Sequence, residues 1–145
     1  MTARNAVMFG PPGHLYVYFT YGMHFCMNAV TGERGVGGAV LMRAGEPIDG
    51  LGRMAAHRGM VDPRRLCAGP ARLAQAFGVT RDEDGVDLAT GAAGIWIAAG
   101  SPVGPAGVVA GPRVGIRVGV DLAWRFRIRD DPFVSPGRAA GAAAR

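Results

Sequence analysis

"LYVYFTYGMHFCMN", residues 15–28, holds two apolar runs that meet at Tyr21-Gly22. In the first run Tyr16 and Tyr18 point one way, and Leu15, Val17 and Phe19 point the other. Residues 23–30 form the second run, so 14–30 reads as a β-hairpin. Gly22 fits a tight turn, because such turns need positive φ at a central position. Tyr21 is harder to place, since a hairpin tip faces water and an aromatic ring gains little there.

Working outward, 31–38 is a glycine-rich loop and 39–44 a short, mostly apolar third strand. Within 46–59 a Pro turn is followed by Leu51, Met54 and Ala55 at helical spacing. Residues 67–79 predict a clearer helix: Pro70 suits its first turn, Leu73, Ala74 and Phe77 share a face, and Gly78 ends it. An acidic loop follows over 80–90. Strands are expected over 94–99 and 113–120, with turns around a short apolar piece between them. Residues 121–128 alternate, with Trp124 and Phe126 on one face and Arg125 and Arg127 on the other. The pattern predicts a single mixed α/β (α+β) domain over 1–137, followed by a disordered Ala/Arg tail at 138–145.

The 145 residues are enough for one core. No apolar run is long enough to span a membrane, and the first residues lack the apolar stretch of a secretory signal. All 16 basic residues are arginine, and the net charge is +5. Such a surface favours polyanions, although an Arg/Ala/Gly-rich genome would give the same bias. Cys26 and Cys67, the two cysteines, lack zinc spacing and read as buried thiols of a reducing cytoplasm, with a single disulfide left open. His14, His24 and His57 form no HExxH pattern, no GxSxG elbow is present, and the glycine runs lack a phosphate loop's lysine.

The residues that carry chemistry gather around the hairpin. Tyr16 and Tyr18 are ordinary core aromatics or flat faces for a nucleobase, which must regain stacking when it leaves a duplex. Asn28, late in the second strand, either satisfies a loop or checks the edge of a base. Arg43 ends an apolar strand, where a charge needs a partner or an opening to solvent. An aromatic hairpin tip suits a wedge between base steps, the alternative being that Tyr21 folds back on the surface.

"ARNAVMFGPPGHLYVYFTYGMHFCMN", "GAVLMRAGEPIDGL", "LCAGPARLAQAFGV" and "DDPFVS" together resemble the alkyladenine (3-methyladenine) DNA glycosylase family, in order, from about Thr2 to Ser135. The resemblance implies a curved, mainly antiparallel sheet with a protruding hairpin and a few flanking helices. It also implies a monomeric enzyme of base-excision repair. Such an enzyme flips alkylated or deaminated purines from double-stranded DNA and hydrolyses the N-glycosidic bond without metal or cofactor. On this likeness Tyr21 matches the intercalating tyrosine, and Met8 a residue beside it. Tyr18 matches an aromatic that stacks on the flipped base. Asn28 matches the pocket asparagine that crowds guanine's amine, Val134 a residue whose main chain lines the pocket, and Arg43 a residue beside the attacking water. Gly69 and Arg72 of "AGPAR" match a backbone-phosphate contact. The expected location is the cytoplasm, on the nucleoid. No lyase step is expected, because no lysine is present to form a Schiff base.

The family's general-base glutamate lies in a segment before the stretch matched by Thr2–Asn5, along with a second stacking tyrosine and a pocket histidine. Glu33, Glu46 and Glu83 do not occupy its position. Positioned base catalysis is worth roughly two to four orders of magnitude in rate, so the polypeptide as written is expected to be inactive or nearly so. It is also expected to leave a sheet edge and apolar surface exposed. A misplaced start or a gene fragment would explain this most simply. The alternative reading is a non-catalytic DNA-binding fragment or pseudogene product.

Overall fold

The computed structural model describes residues 1–134. The expected tail at 138–145 lies outside the described residues. The chain is a mixed α+β domain with two antiparallel sheets and a few short helices. Strands β1 (Leu15–Thr20), β2 (His24–Val30) and β3 (Ala39–Leu41) form the larger sheet, in that order. Strands β4 (Val108–Gly111) and β5 (Arg125–Ile128) form the smaller one.

The hairpin follows the alternation. Leu15 pairs with Ala29, Val17 with Met27 and Tyr18 with Cys26. Leu15, Val17 and Met27 are buried against Leu66, Cys67, Leu73, Ala74, Ala76, Val79 and Leu88. Burial of each large side chain contributes about 1.5–3 kcal/mol, so this face holds the sheet to helices α1 (Leu51–Arg58), α2 (Pro63–Leu66) and α3 (Pro70–Phe77). Helix α3 starts at Pro70 and stops at Gly78, whose φ of 70° lets its N–H bond back to the carbonyls of Ala74 and Gln75. Phe77 does not share the buried face as expected. It is 52% exposed, and Ala76 packs inward instead.

The second half of the chain departs from expectation. Residues 94–99 form no strand; Ile97 makes one backbone bond, its N–H to the Leu88 carbonyl, rather than a ladder. Residues 113–120 also form no strand, because Gly115 and Gly119 take φ of 73° and 67° and break the extended run. Pairing falls instead on the short apolar piece Val108–Gly111, which meets Arg125–Ile128. There Trp124 and Phe126 turn outward, and the Arg113 guanidinium stacks 5.2 Å from the Trp124 ring centre.

The expected open edge appears on one side only. Beyond β3 no further strand pairs among the described residues, and Val40 is exposed. The outer edge of β1 is occupied. Asp84 Oδ1 accepts from the Val17 N–H at 2.7 Å, and Arg81 Nη1 donates to the Val17 carbonyl at 2.6 Å. Arg81 and Asp84 bridge each other at 3.2 Å. Leu15 exchanges backbone bonds with Val86 and Gly85. The acidic loop therefore does a strand's work along this edge.

Candidate nucleic-acid interface

The hairpin turn Thr20–Met23 has positive φ at both central residues, 53° at Tyr21 and 69° at Gly22, and is closed by the Met23 N–H to the Thr20 carbonyl at 3.3 Å. This is the turn that suits the twist of a hairpin, and asparagine-glycine or glycine-glycine is its usual sequence. Tyrosine in the left-handed region costs roughly 1–2 kcal/mol, and the ring is not repaid by burial, since Tyr21 is 81% exposed. The alternative that Tyr21 folds back on the surface is thus not what the structure adopts. Met23 beside it is also exposed.

Below the tip, one face of the sheet carries the other expected residues. Tyr16 pairs with Asn28 and Tyr18 with Cys26, and the two tyrosine rings lie 5.7 Å apart, tilted by 32°. Asn28 is buried, and its Nδ2 donates to the Tyr16 carbonyl at 3.1 Å. That bond ties the carboxamide to the backbone of β1 rather than to a loop. Asn28 also pairs with Leu41 of β3, and the Met42 N–H to Met27 carbonyl bond extends that register, which sets Arg43 beside Cys26. Tyr18, Cys26 and Arg43 therefore form one row across three chain segments.

Their electrostatics are those of a half-dry surface. Burial pushes the Tyr18 hydroxyl up to about 12, helped by the charge of, and a hydrogen bond with, the Cys26 sulfur. Burial also raises the Cys26 thiol, against the opposing pull of Tyr18 and Arg43. Arg43 is lowered from its usual very high value, first by burial and then by the nearby charge of Arg125. Tyr18 is therefore a neutral ring and Arg43 a cation at any physiological pH, and Arg125 adds a second cation that sequence reading had not placed here.

The remaining expected residues are less concentrated. Met8 lies in a 3-10 turn, Ala6–Phe9, and its carbonyl accepts from the Gly38 N–H at 3.3 Å. Val134 follows β5, and its N–H bonds weakly to the Asp131 carbonyl at 3.4 Å. Neither makes a hydrogen bond to the tyrosine row. Gly69 caps α3 with φ of 143°, and the Arg72 side chain folds back over it, its Nη1 3.4 Å from the Ala68 carbonyl. Arg58 is lowered by burial and then by Arg72, with Arg65 also near. These three cations form a basic cluster around α2 and α3.

Glu83 is committed elsewhere, its carboxylate accepting from the Thr80 N–H and hydroxyl. Glu33 and Glu46 are exposed. Among the described residues no group of three or more His, Cys, Asp or Glu is placed to hold a metal ion. Two open clefts, of about 380 and 490 Å³, flank Phe77 and include none of the expected site residues. Among the described residues no helix is long and apolar enough to cross a membrane.

An exposed aromatic finger, a second tyrosine and a buried asparagine on one strand face, with Arg43 and Arg125 nearby, call for comparison with DNA-processing proteins. The model of the methylpurine-DNA glycosylase family matches residues 1–132. The chain belongs to that family. A Burkholderia lata protein named "Putative 3-methyladenine DNA glycosylase" is 54% identical over 135 residues, covering 92% of this chain and 65% of its own length. A Carboxydothermus hydrogenoformans protein of the same name is 47% identical over 134 residues, covering 92% and 70%. One from Rhodopseudomonas palustris is 46% identical, covering 92% and 63%. This chain therefore spans about two thirds of the length of these relatives.

Proposed function

We propose that this chain carries the duplex-probing and base-binding part of a DNA glycosylase that removes alkylated or deaminated purines in the bacterial cytoplasm. The carrying observation is the strained, exposed Tyr21 at the hairpin tip, set above Tyr18 and Asn28 on one strand face. Strain of this kind is a reasoned pointer to function when nothing structural repays it.

In this reading the protein binds duplex DNA as a monomer. Arg72 and the Gly69 backbone take phosphates, and with Arg58 and Arg65 they hold register without reading sequence. Tyr21 enters the stack as a nucleotide leaves it, with Met8 supporting the finger from the 3-10 turn. The flipped purine stacks on neutral Tyr18. Asn28, fixed by its bond to Tyr16, narrows the space beside the base edge and disfavours guanine's amine. Main chain near Val134 closes the pocket. Arg43 stabilises the charge that develops as water displaces the base at the sugar carbon and an abasic site is left. Activation of that water needs a base. The cluster of Arg58, Arg65 and Arg72, which serves binding whether or not a base is cut, supports a second reading, a module that binds duplex DNA and extrudes a base without excising it.

A duplex carrying hypoxanthine beside 2-aminopurine tests both readings. Rising fluorescence on binding reports extrusion, and release of hypoxanthine reports excision. Extrusion with release supports the glycosylase, and extrusion alone supports the binding module. Neither signal, with Tyr21→Ala binding as the unaltered chain does, overturns both.

A further inference from the structure

The hairpin that carries Tyr21 has an unusual support on its outer side. A two-stranded hairpin alone is marginal in water, and this one also bears a left-handed tyrosine. The acidic loop holds β1 as far as Val17. Phe19 is the next residue whose backbone faces outward, two positions from Tyr21. Its carbonyl is not left to solvent: Arg4 Nη2 donates to it at 2.8 Å, within the range of a charge-assisted bond.

Arg4 itself stands on a built mount. The Thr2 N–H and hydroxyl donate to Asn5 Oδ1 at 2.7 and 2.9 Å, and the Asn5 N–H closes on the Thr2 carbonyl at 3.1 Å. The Asn5 carbonyl accepts from the Met8 N–H at 3.1 Å, which starts the 3-10 turn. That turn is tied to the 31–38 loop, because the Gly35 N–H donates to the Phe9 carbonyl at 2.8 Å. The Phe9 ring also lies so close to Gly37 that a Cβ there would sit 2.6 Å from it. A chain of contacts thus runs from the loop that leads into β3, through Phe9 and Asn5, to Arg4 and the last outward carbonyl before the tip.

From this geometry we propose that Arg4 is a positioning residue for Tyr21: its bond to the Phe19 carbonyl fixes the angle and stiffness of the finger. This rests on the wedge reading of Tyr21. Arg4 touches no substrate in this role. It removes conformational freedom that the hairpin would otherwise lose only on meeting DNA, and such preorganisation raises the yield of the inserted state.

The test uses the full chain with Arg4→Met and Arg4→Lys. Methionine keeps the length and removes the donor, and lysine restores a single charged donor. Arg4 is exposed, so neither change disturbs the core. Hydrogen–deuterium exchange over 19–23 is expected to rise roughly five- to tenfold in Arg4→Met, the loss of one solvent-exposed hydrogen bond, with 15–17 unchanged and Arg4→Lys partly restored. Binding to undamaged duplex should stay within about twofold, because a single phosphate-neutralising charge carries only a small share of that affinity. The 2-aminopurine extrusion signal should fall about fivefold with the same loss of that bond. Unchanged exchange at the tip overturns the proposal, as does equal loosening of 15–17, which would make Arg4 a general stabiliser. If the unaltered chain shows no extrusion, the wedge reading fails, and the exchange data still decide whether Arg4 holds the tip. Loosened exchange with undiminished extrusion overturns the positioning role.

Discussion

Asp84 reaches across 67 positions of sequence to accept the Val17 N–H at 2.7 Å. Val17 has no solvent exposure, so its N–H depends on that acceptor. Asp84→Ala should destabilise the domain by about 1–3 kcal/mol, the cost of orphaning a buried donor. Asp84→Asn keeps an acceptor oxygen and should cost less, losing mainly the ion pair with Arg81. Urea unfolding of the three proteins measures the order. Equal stability of Asp84→Ala and the unaltered chain would show that β1 needs no such acceptor.

Tyr21→Asn converts the tip to asparagine-glycine, the pairing this turn prefers. It should stabilise the hairpin by roughly 1 kcal/mol through relief of left-handed strain. The same change should abolish base extrusion on the 2-aminopurine duplex. A gain of stability with a loss of extrusion is the signature of strain kept for function; loss of both would place Tyr21 in the fold instead.

Tyr18 should be late to ionise. Its hydroxyl is pushed up to about 12 by burial first and the Cys26 sulfur second. Absorbance at 295 nm should show a component near pH 12 that vanishes in Tyr18→Phe. The linkage sign follows from a folded value above the unfolded one near 10. The stabilising contribution is complete below pH 10 and is lost as pH rises to about 12, so Tyr18→Phe should flatten the alkaline fall in stability.

Gly78→Ala should shorten the hold of α3. The residue sits at φ of 70°, and its new Cβ would lie 2.8 Å from the His57 ring. A cost of roughly 1–2 kcal/mol is expected from the backbone conformation alone, read as a lower melting temperature. Ala at this site without loss would mean the helix end relaxes to another cap.

The hairpin and α3 were legible because their signals are local. Strict alternation, Tyr-Gly at a turn, Pro70 at a start and Gly78 at an end each act within a few residues. The expected strands at 94–99 and 113–120 were apolar enough to mislead. Whether such a run pairs depends on a distant partner and on glycines that take positive φ, as Gly94, Gly115 and Gly119 do. Within the candidate site, Tyr18, Tyr21, Asn28 and Arg43 could be named from their sequence block, and the row Tyr18–Cys26–Arg43 follows once strand register is known. Arg4, Arg81 and Asp84 could not be found that way. Nothing local says that an exposed arginine near the first residue, or an acidic loop 67 positions on, will take the polar groups of β1.

Those same side chains also index the strand. Slipping β1 by one residue against β2 would turn Leu15 and Val17 outward and carry Tyr16 and Tyr18 into the helices, because alternate residues face opposite ways. Such a slip would also present the wrong peptide groups to Arg4, Arg81 and Asp84, which meet Phe19 and Val17 and no others. Three polar side chains thereby act as a ratchet pawl on the hairpin. They make the misthreaded sheet costly in hydrogen bonds as well as in burial, so the face that carries the two tyrosines is chosen during folding and not left to chance.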